Sequence, residues 1–195
     1  MTKKEQVRYF LINIAQRIFS RLGYDRTTME IIAREAGKGK STLYYYFKNK
    51  EEIFAAVIEQ QGKKIQNELL KIINQNIDTR KLLKKYVLKR YQLVNELINY
   101  YNVLKDDYLR NMPLVEKYRK QHDEFEFMAI KNILIKGIDR EEIGIDEHKI
   151  DDVAMAIAVA IKGLEIPVFF DHGIREFESK IDMLIDVLFD GIAKK

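Results

Sequence analysis

An all-α protein is what this chain predicts, and three observations carry the prediction. Only two prolines interrupt 195 residues, strong helix formers fill almost every stretch, and hardly any segment shows the two-residue alternation of a strand. With 47% hydrophobic and 33% charged residues the chain is globular, either one large domain or a small module joined to a medium one. The lack of cysteine excludes disulfides, thiolate nucleophiles and Cys-ligated zinc. No apolar run nears the ~18 residues of a membrane span, and Met1-Thr2-Lys3-Lys4-Glu5 leads into an interrupted pattern rather than a signal-peptide core. A cytoplasmic chain with no membrane partner is expected.

The elements follow in order. Val7, Leu11, Ile14, Ala15, Ile18 and Leu22 recur at helical spacing and Gly23 follows as a stop, predicting a helix over 3–22. Thr27 with Glu30 three residues on matches a capping box and starts a second helix, which turns Ile31, Ile32 and Ala36 inward and stops at Gly37. A third short helix spans 40–47, after which Asn49 can cap the next one with Glu52 at its third position. Helix, tight glycine-containing turn, helix is the geometry of a helix-turn-helix. Apolar residues from Ile53 to Ile73 trace a long helix over 53–77. Five more are expected at 79–100, 102–110, 113–137, 147–165 and 173–193, with Pro113 in a first turn, so that the chain has about nine helices. The expected division is a head of residues 1–50 and a larger helical body of residues 51–195.

Charge separates these two parts. The first 50 residues hold eleven basic and four acidic side chains, whereas the remainder holds 23 basic and 26 acidic, so a net charge of +4 conceals a basic head. Such asymmetry suggests a polyanion partner. In the third helix Leu43 and Phe47, four residues apart, can face inward, which directs Lys40, Ser41, Tyr44 and Tyr45 outward toward base edges and phosphates.

The stretch Gly23 to Lys50 resembles the DNA-binding domain of the TetR family of transcriptional regulators. The residues that carry the resemblance are Gly23-Tyr24, Thr27-Thr28, Ile32-Ala33, Ala36-Gly37 and Thr42-Leu43-Tyr44-Tyr45-Tyr46-Phe47-Lys48-Asn49-Lys50. It implies a helix-turn-helix DNA-binding domain followed by a helical ligand-binding and dimerisation domain. It also implies that Thr28 lies near a phosphate at a helix start, that Lys40, Ser41, Thr42 and Tyr44 enter the major groove, and that Tyr45 and Lys50 hold the sugar-phosphate backbone. Thr27 belongs to the same candidate set. The family usually has a small aliphatic residue at the position of Lys38 and Ser at that of Gly39. Lys38 joins the set as a further phosphate contact, and Gly caps nearly as well as Ser.

The body carries two apolar stripes, one from Ile150 to Leu164 and rich in alanine, the other from Phe177 to Ile192. By the resemblance they form a homodimer interface, with Val153, Ile157, Ile161, Ile181, Leu184 and Leu188 as candidates; on pattern alone they could instead face their own core. A two-fold dimer implies a palindromic double-stranded operator. Aromatic and methionine side chains gather in the body, and Tyr86, Tyr91, Tyr101, Met112, Phe125, Met128, Met155 and Phe169 are the candidate lining of a cavity for a small hydrophobic or aromatic effector. The function implied is a repressor released by that effector. Rival readings are a DNA-binding protein of the same fold controlled by a protein partner or by no ligand, and a helical enzyme.

Other signals lead nowhere. Gly39-Lys40-Ser41 resembles the end of a phosphate-binding loop, but the earlier glycine would fall on Arg34. Asp106-Asp107 and Asp151-Asp152 lack the spacing of a metal site, and His122, His148 and His172 read as ordinary surface histidines. No catalytic residue, cofactor or metal is expected.

Overall fold

Thr2 begins the fold with a capping box. Its hydroxyl accepts from the Glu5 N–H at 3.2 Å, while the Glu5 carboxylate accepts from the Thr2 N–H at 2.7 Å, so two otherwise orphaned donors at the helix start are satisfied. The computed structural model describes residues 1–100, 104–163 and 174–192. Among the described residues are eight α-helices: α1 (Lys3–Arg26), α2 (Met29–Glu35), α3 (Lys40–Tyr46), α4 (Lys50–Ile73), α5 (Thr79–Tyr100), α6 (Leu104–Asp139), α7 (Ile150–Gly163) and α8 (Ile174–Ile192), with a single 3-10 turn at Glu147–Lys149. The fold is all-α. Two compact units are formed, Met1–Lys63 with Glu96–Lys120, and Lys64–Asn95 with Gln121–Lys195.

The first unit is built on one buried cluster. Leu11, Ala15, Ile18 and Phe19 of α1 meet Ile32 and Ala33 of α2, Leu43 of α3 with Phe47 behind it, and Ile53 and Val57 of α4. Helices as short as α2 and α3 persist only through such packing. Between them the chain turns in a Schellman motif: the Lys38 N–H donates to the Ala33 carbonyl and the Gly37 N–H to the Arg34 carbonyl, each at 3.0 Å. Gly37 holds φ +60° there, a region open to glycine without penalty. Gly23, at φ 80° and ψ 169°, interrupts α1 as the expected stop, although helical turns resume through Arg26.

The second unit has its own cluster, in which Leu82, Leu83, Tyr86 and Val87 of α5 pack with Ile130, Ile133 and Leu134 of α6, Ala154 and Ile161 of α7, and Ile181 and Ile185 of α8. Three expected helix boundaries are corrected. The helices expected at 102–110 and 113–137 are one, α6, with Pro113 inside it rather than in a first turn; a proline there removes one intrahelical hydrogen bond without ending the helix. The long helix ends at Ile73 instead of 77, where Lys136 of α6 donates to the Ile73 carbonyl at 2.6 Å, and Arg140, just past the end of α6, donates to the Ile77 carbonyl and the Asn76 side chain, each at 2.5 Å. The helix expected from 147 begins with the 3-10 turn, and its α-helical part starts at Ile150 and runs through Gly163, beyond which its expected end lies outside the described residues. Among the described residues no helix is long and apolar enough to cross a membrane.

Candidate nucleic-acid interface

Leu43 and Phe47 are buried and anchor α3, and this fixes what its other face presents. Lys40, Ser41, Tyr44 and Tyr45 are exposed, Tyr45 by 67%, while Thr42 is half-buried. Gly39 caps the helix through its carbonyl, which accepts from the Thr42 N–H at 3.0 Å, without a side-chain contribution. Lys38 is exposed in the turn before it. Lys4 of α1 places its ammonium 5.1 Å from the centre of the Tyr45 ring, and Tyr45 lies edge-on to Tyr46 at 5.0 Å. The outward surface thus combines hydroxyls, cations and aromatic rings.

Two of the candidate residues have internal partners. Thr27 is fully buried, and its hydroxyl donates to the Gly23 carbonyl at 2.6 Å. The expected capping box of Thr27 with Glu30 is therefore not made; the cap is Thr28, which is exposed and accepts from the Ile31 N–H at 3.3 Å. A carbonyl one turn back captures the first hydroxyl of the Thr-Thr pair, leaving the second to the helix. Lys50 donates to the carbonyls of Tyr24 at 2.8 Å and Asp25 at 3.4 Å, with its ammonium 4.2 Å from the Tyr24 ring centre. Burial lowers its pKa, with Asp25 opposing the effect. Lys50 braces the linker between α1 and α2 instead of standing free above the surface.

One partner was missed from sequence. Glu30, in the first turn of α2, pairs with Lys40 of α3 at 2.7 Å. Its carboxyl is held down at about 2, first by the Lys40 hydrogen bond, then by its own backbone N–H and the Thr28 hydroxyl, and the same pairing raises Lys40. The sequence signal was only an acid and a base on helices expected to pack together.

In the second unit, Tyr86 and Tyr91 are buried and Phe125 is half-buried, as an interior site needs. Met128 and Met155, expected beside them, are instead 44% and 50% exposed. Tyr101 and Phe169 lie outside the described residues, and for Met112 only the helical backbone of α6 is described. The interior is also more polar than expected. Arg90 and Glu126 form a buried two-pronged ion pair, with Arg90 Nη2 donating to Glu126 Oε2 at 2.9 Å, and Gln66 bonds His122 Nδ1 at 2.9 Å. The buried Tyr86 hydroxyl has no hydrogen-bond partner among the described residues. Burial, reinforced by Glu126 and opposed by Arg90, pushes its pKa well above the usual phenol range.

The candidate interface residues divide likewise. Ile157, Ile161 and Ile181 are buried in the chain's own core, Val153 and Leu188 are half-buried, and Leu184 is exposed. The opposite edges of the two helices carry exposed apolar residues: Met155 and Val159 on α7, and Met183, Leu184 and Val187 on α8.

A buried helix-turn-helix core with an exposed α3 defines a DNA-binding regulator, and comparison with known proteins agrees. Residues 11–57 match the family model described as bacterial regulatory proteins, tetR family. The HTH-type transcriptional regulator QacR of Staphylococcus aureus is 24% identical over 195 residues, covering 94% of this chain and 97% of QacR. The Biofilm operon icaADBC HTH-type negative transcriptional regulator IcaR of Staphylococcus epidermidis is 41% identical over 49 residues, or 25% of this chain and 26% of IcaR. The solved structure of a SmeT–triclosan complex shares the fold with a TM-score of 0.67 at 18% identity, covering 96% of this chain and 92% of that one. Residues 11–57 thus carry the DNA-binding domain of the TetR family of transcriptional regulators, and the comparisons point to a DNA-binding regulator rather than an enzyme.

Proposed function

We propose that the chain is a homodimeric repressor that reads a palindromic operator through α3 and is released by a small, largely apolar effector. The observation that carries this reading is the burial of Leu43 and Phe47, which turns Lys40, Ser41, Tyr44 and Tyr45 to solvent together. Residues 1–50 are the reading module and residues 51–195 the effector-binding and dimerisation domain. Thr28, Lys38, Lys40, Ser41, Thr42, Tyr44 and Tyr45 are the proposed contacts, with Thr27 and Lys50 holding the module together. Negative regulation is supported by the name of IcaR, to which 49 residues of this chain are 41% identical.

The exposed apolar residues of α7 and α8 support dimerisation, since Ala156 and Ala160 beside Met155 and Val159 let a partner helix approach closely. The SmeT–triclosan complex supports an aromatic effector. Tyr86 and the Arg90–Glu126 pair refine this reading, because a wholly apolar ligand would leave the Tyr86 hydroxyl unpaired, whereas one with a hydrogen-bond acceptor satisfies it. Release follows from differential affinity: a ligand that favours one placement of α4, which runs unbroken from Lys50 to Ile73, shifts the dimer away from the spacing of one DNA turn.

Selection of bound duplexes from a random pool, repeated at several salt concentrations, tests the proposal. A palindromic consensus with a steep negative slope of log K against log salt is expected. No enrichment at low salt, with the dimer confirmed by sedimentation, would overturn it.

A further inference from the structure

Glu30 is out of place on a surface that must approach phosphates. It lies in the first turn of α2, two residues after the exposed cap Thr28, where a carboxylate repels an incoming phosphate. Its ion pair with Lys40 spans two helices at 2.7 Å, with side chains 51% and 60% exposed. A pair so open to water adds little to folding. With Glu30 titrating at about 2, the carboxylate is ionised at every pH at which the protein would meet DNA.

We propose that Glu30 is a specificity-determining residue: by holding Lys40 it withdraws one cation from sequence-independent attraction, while leaving that cation able to read a base. The proposal rests on α3 being the element that enters the groove. An ammonium has three donors, so Lys40 can keep Glu30 and still give a proton to a guanine edge in the major groove. Clamping a phosphate instead sets that phosphate beside the Glu30 carboxylate. Contacts to phosphate are common to all sequences and contacts to bases are not; Glu30 therefore penalises the first kind and spares the second.

Binding of the unmodified protein, Glu30→Gln, Lys40→Gln and the double variant is measured on the duplex selected from a random pool and on a scrambled duplex of equal length, across a salt series. Glu30→Gln is expected to bind the scrambled duplex about five-fold more tightly at 0.15 M salt, with a salt slope steeper by about 0.9, the value of one newly freed cation. Its gain on the selected duplex is expected to be under two-fold, so discrimination falls. In the Lys40→Gln background the same change should have less than a two-fold effect on either duplex. Equal gains on both duplexes, or a full gain without Lys40, would overturn the proposal by reducing Glu30 to a through-space charge. An unmodified protein that selects no duplex defeats the reading of α3 itself. Melting temperatures unchanged across the four proteins separate each result from misfolding.

Discussion

Each unit contains an acid–base pair bridging two helices, and the two pairs have opposite consequences. Lys40 and Glu30 join α3 to α2 with more than half of each side chain in water. Arg90 and Glu126 join α5 to α6 with side chains only 6% and 10% exposed. Coulomb attraction is screened at the first site and strong at the second, but the second also pays full desolvation for two ions. The exposed pair is thus free to be exchanged for another partner at little cost to the fold, whereas the buried pair is locked. One arrangement suits a reading surface and the other a scaffold.

The sharpest way to break this contrast is to remove one buried partner. Arg90→Met leaves Glu126 as an uncompensated interior charge and should cost about 3–5 kcal/mol, lowering the melting temperature by roughly 10 °C in a chain of this size. Arg90→Met with Glu126→Leu should recover most of that loss, because the desolvation cost disappears with the charge. A single variant that melts like the unmodified protein would show that the pair is hydrated. The converse holds in the first unit, where Tyr44→Ala removes a side chain that is 46% exposed. It should weaken operator binding by about 1–3 kcal/mol, the range of one good base contact, in a titration with the selected duplex, and leave the melting curve unchanged. Between these lies Gly37→Ala. Nothing lies within 4 Å of where its Cβ would sit, so no clash adds to the left-handed backbone penalty of about 1–2 kcal/mol. Roughly 0.5–1 kcal/mol of that is returned by the stiffer unfolded chain, and a net loss of about 0.5–1 kcal/mol is expected in chemical denaturation.

What could be read from sequence follows the same division by locality. Leu43, Phe47 and Gly37 declare themselves because their roles are set within one or two turns of chain. Thr27 and Thr28 are adjacent and chemically identical, so the pattern rule is satisfied by either, and only the Gly23 carbonyl decides between them. Lys50 finds its partners about 25 residues away, at Tyr24 and Asp25, and no local pattern announces that. Periodicity showed that Ile157, Ile161 and Ile181 line an apolar face but not what covers it, and the cover is the chain's own core. Met128 and Met155 failed as interior residues for the reverse reason: an apolar side chain is no proof of burial. The family resemblance reached only the first unit in residue detail, and there the fold and most of the surface were legible.

The end of α6 shows how far this locality extends. Its chain reversal repeats the geometry at Gly37, with the Glu142 N–H donating to the Gly137 carbonyl and the Glu141 N–H to the Ile138 carbonyl, each at 2.9 Å. The left-handed position is filled by Glu141 at φ 58°. The same motif is therefore announced by glycine in the first unit and concealed by glutamate in the second. Strain of about 1–2 kcal/mol attends a side chain in that region, while glycine's greater freedom in the unfolded chain returns roughly 0.5–1 kcal/mol of it. Glu141→Gly should therefore stabilise the protein by about 0.5 kcal/mol in chemical denaturation, opposite in sign to Gly37→Ala. A loss of stability instead would show that the Glu141 side chain contributes more through its contacts than its backbone costs, and that the two turns, alike in hydrogen bonding, are maintained by different forces.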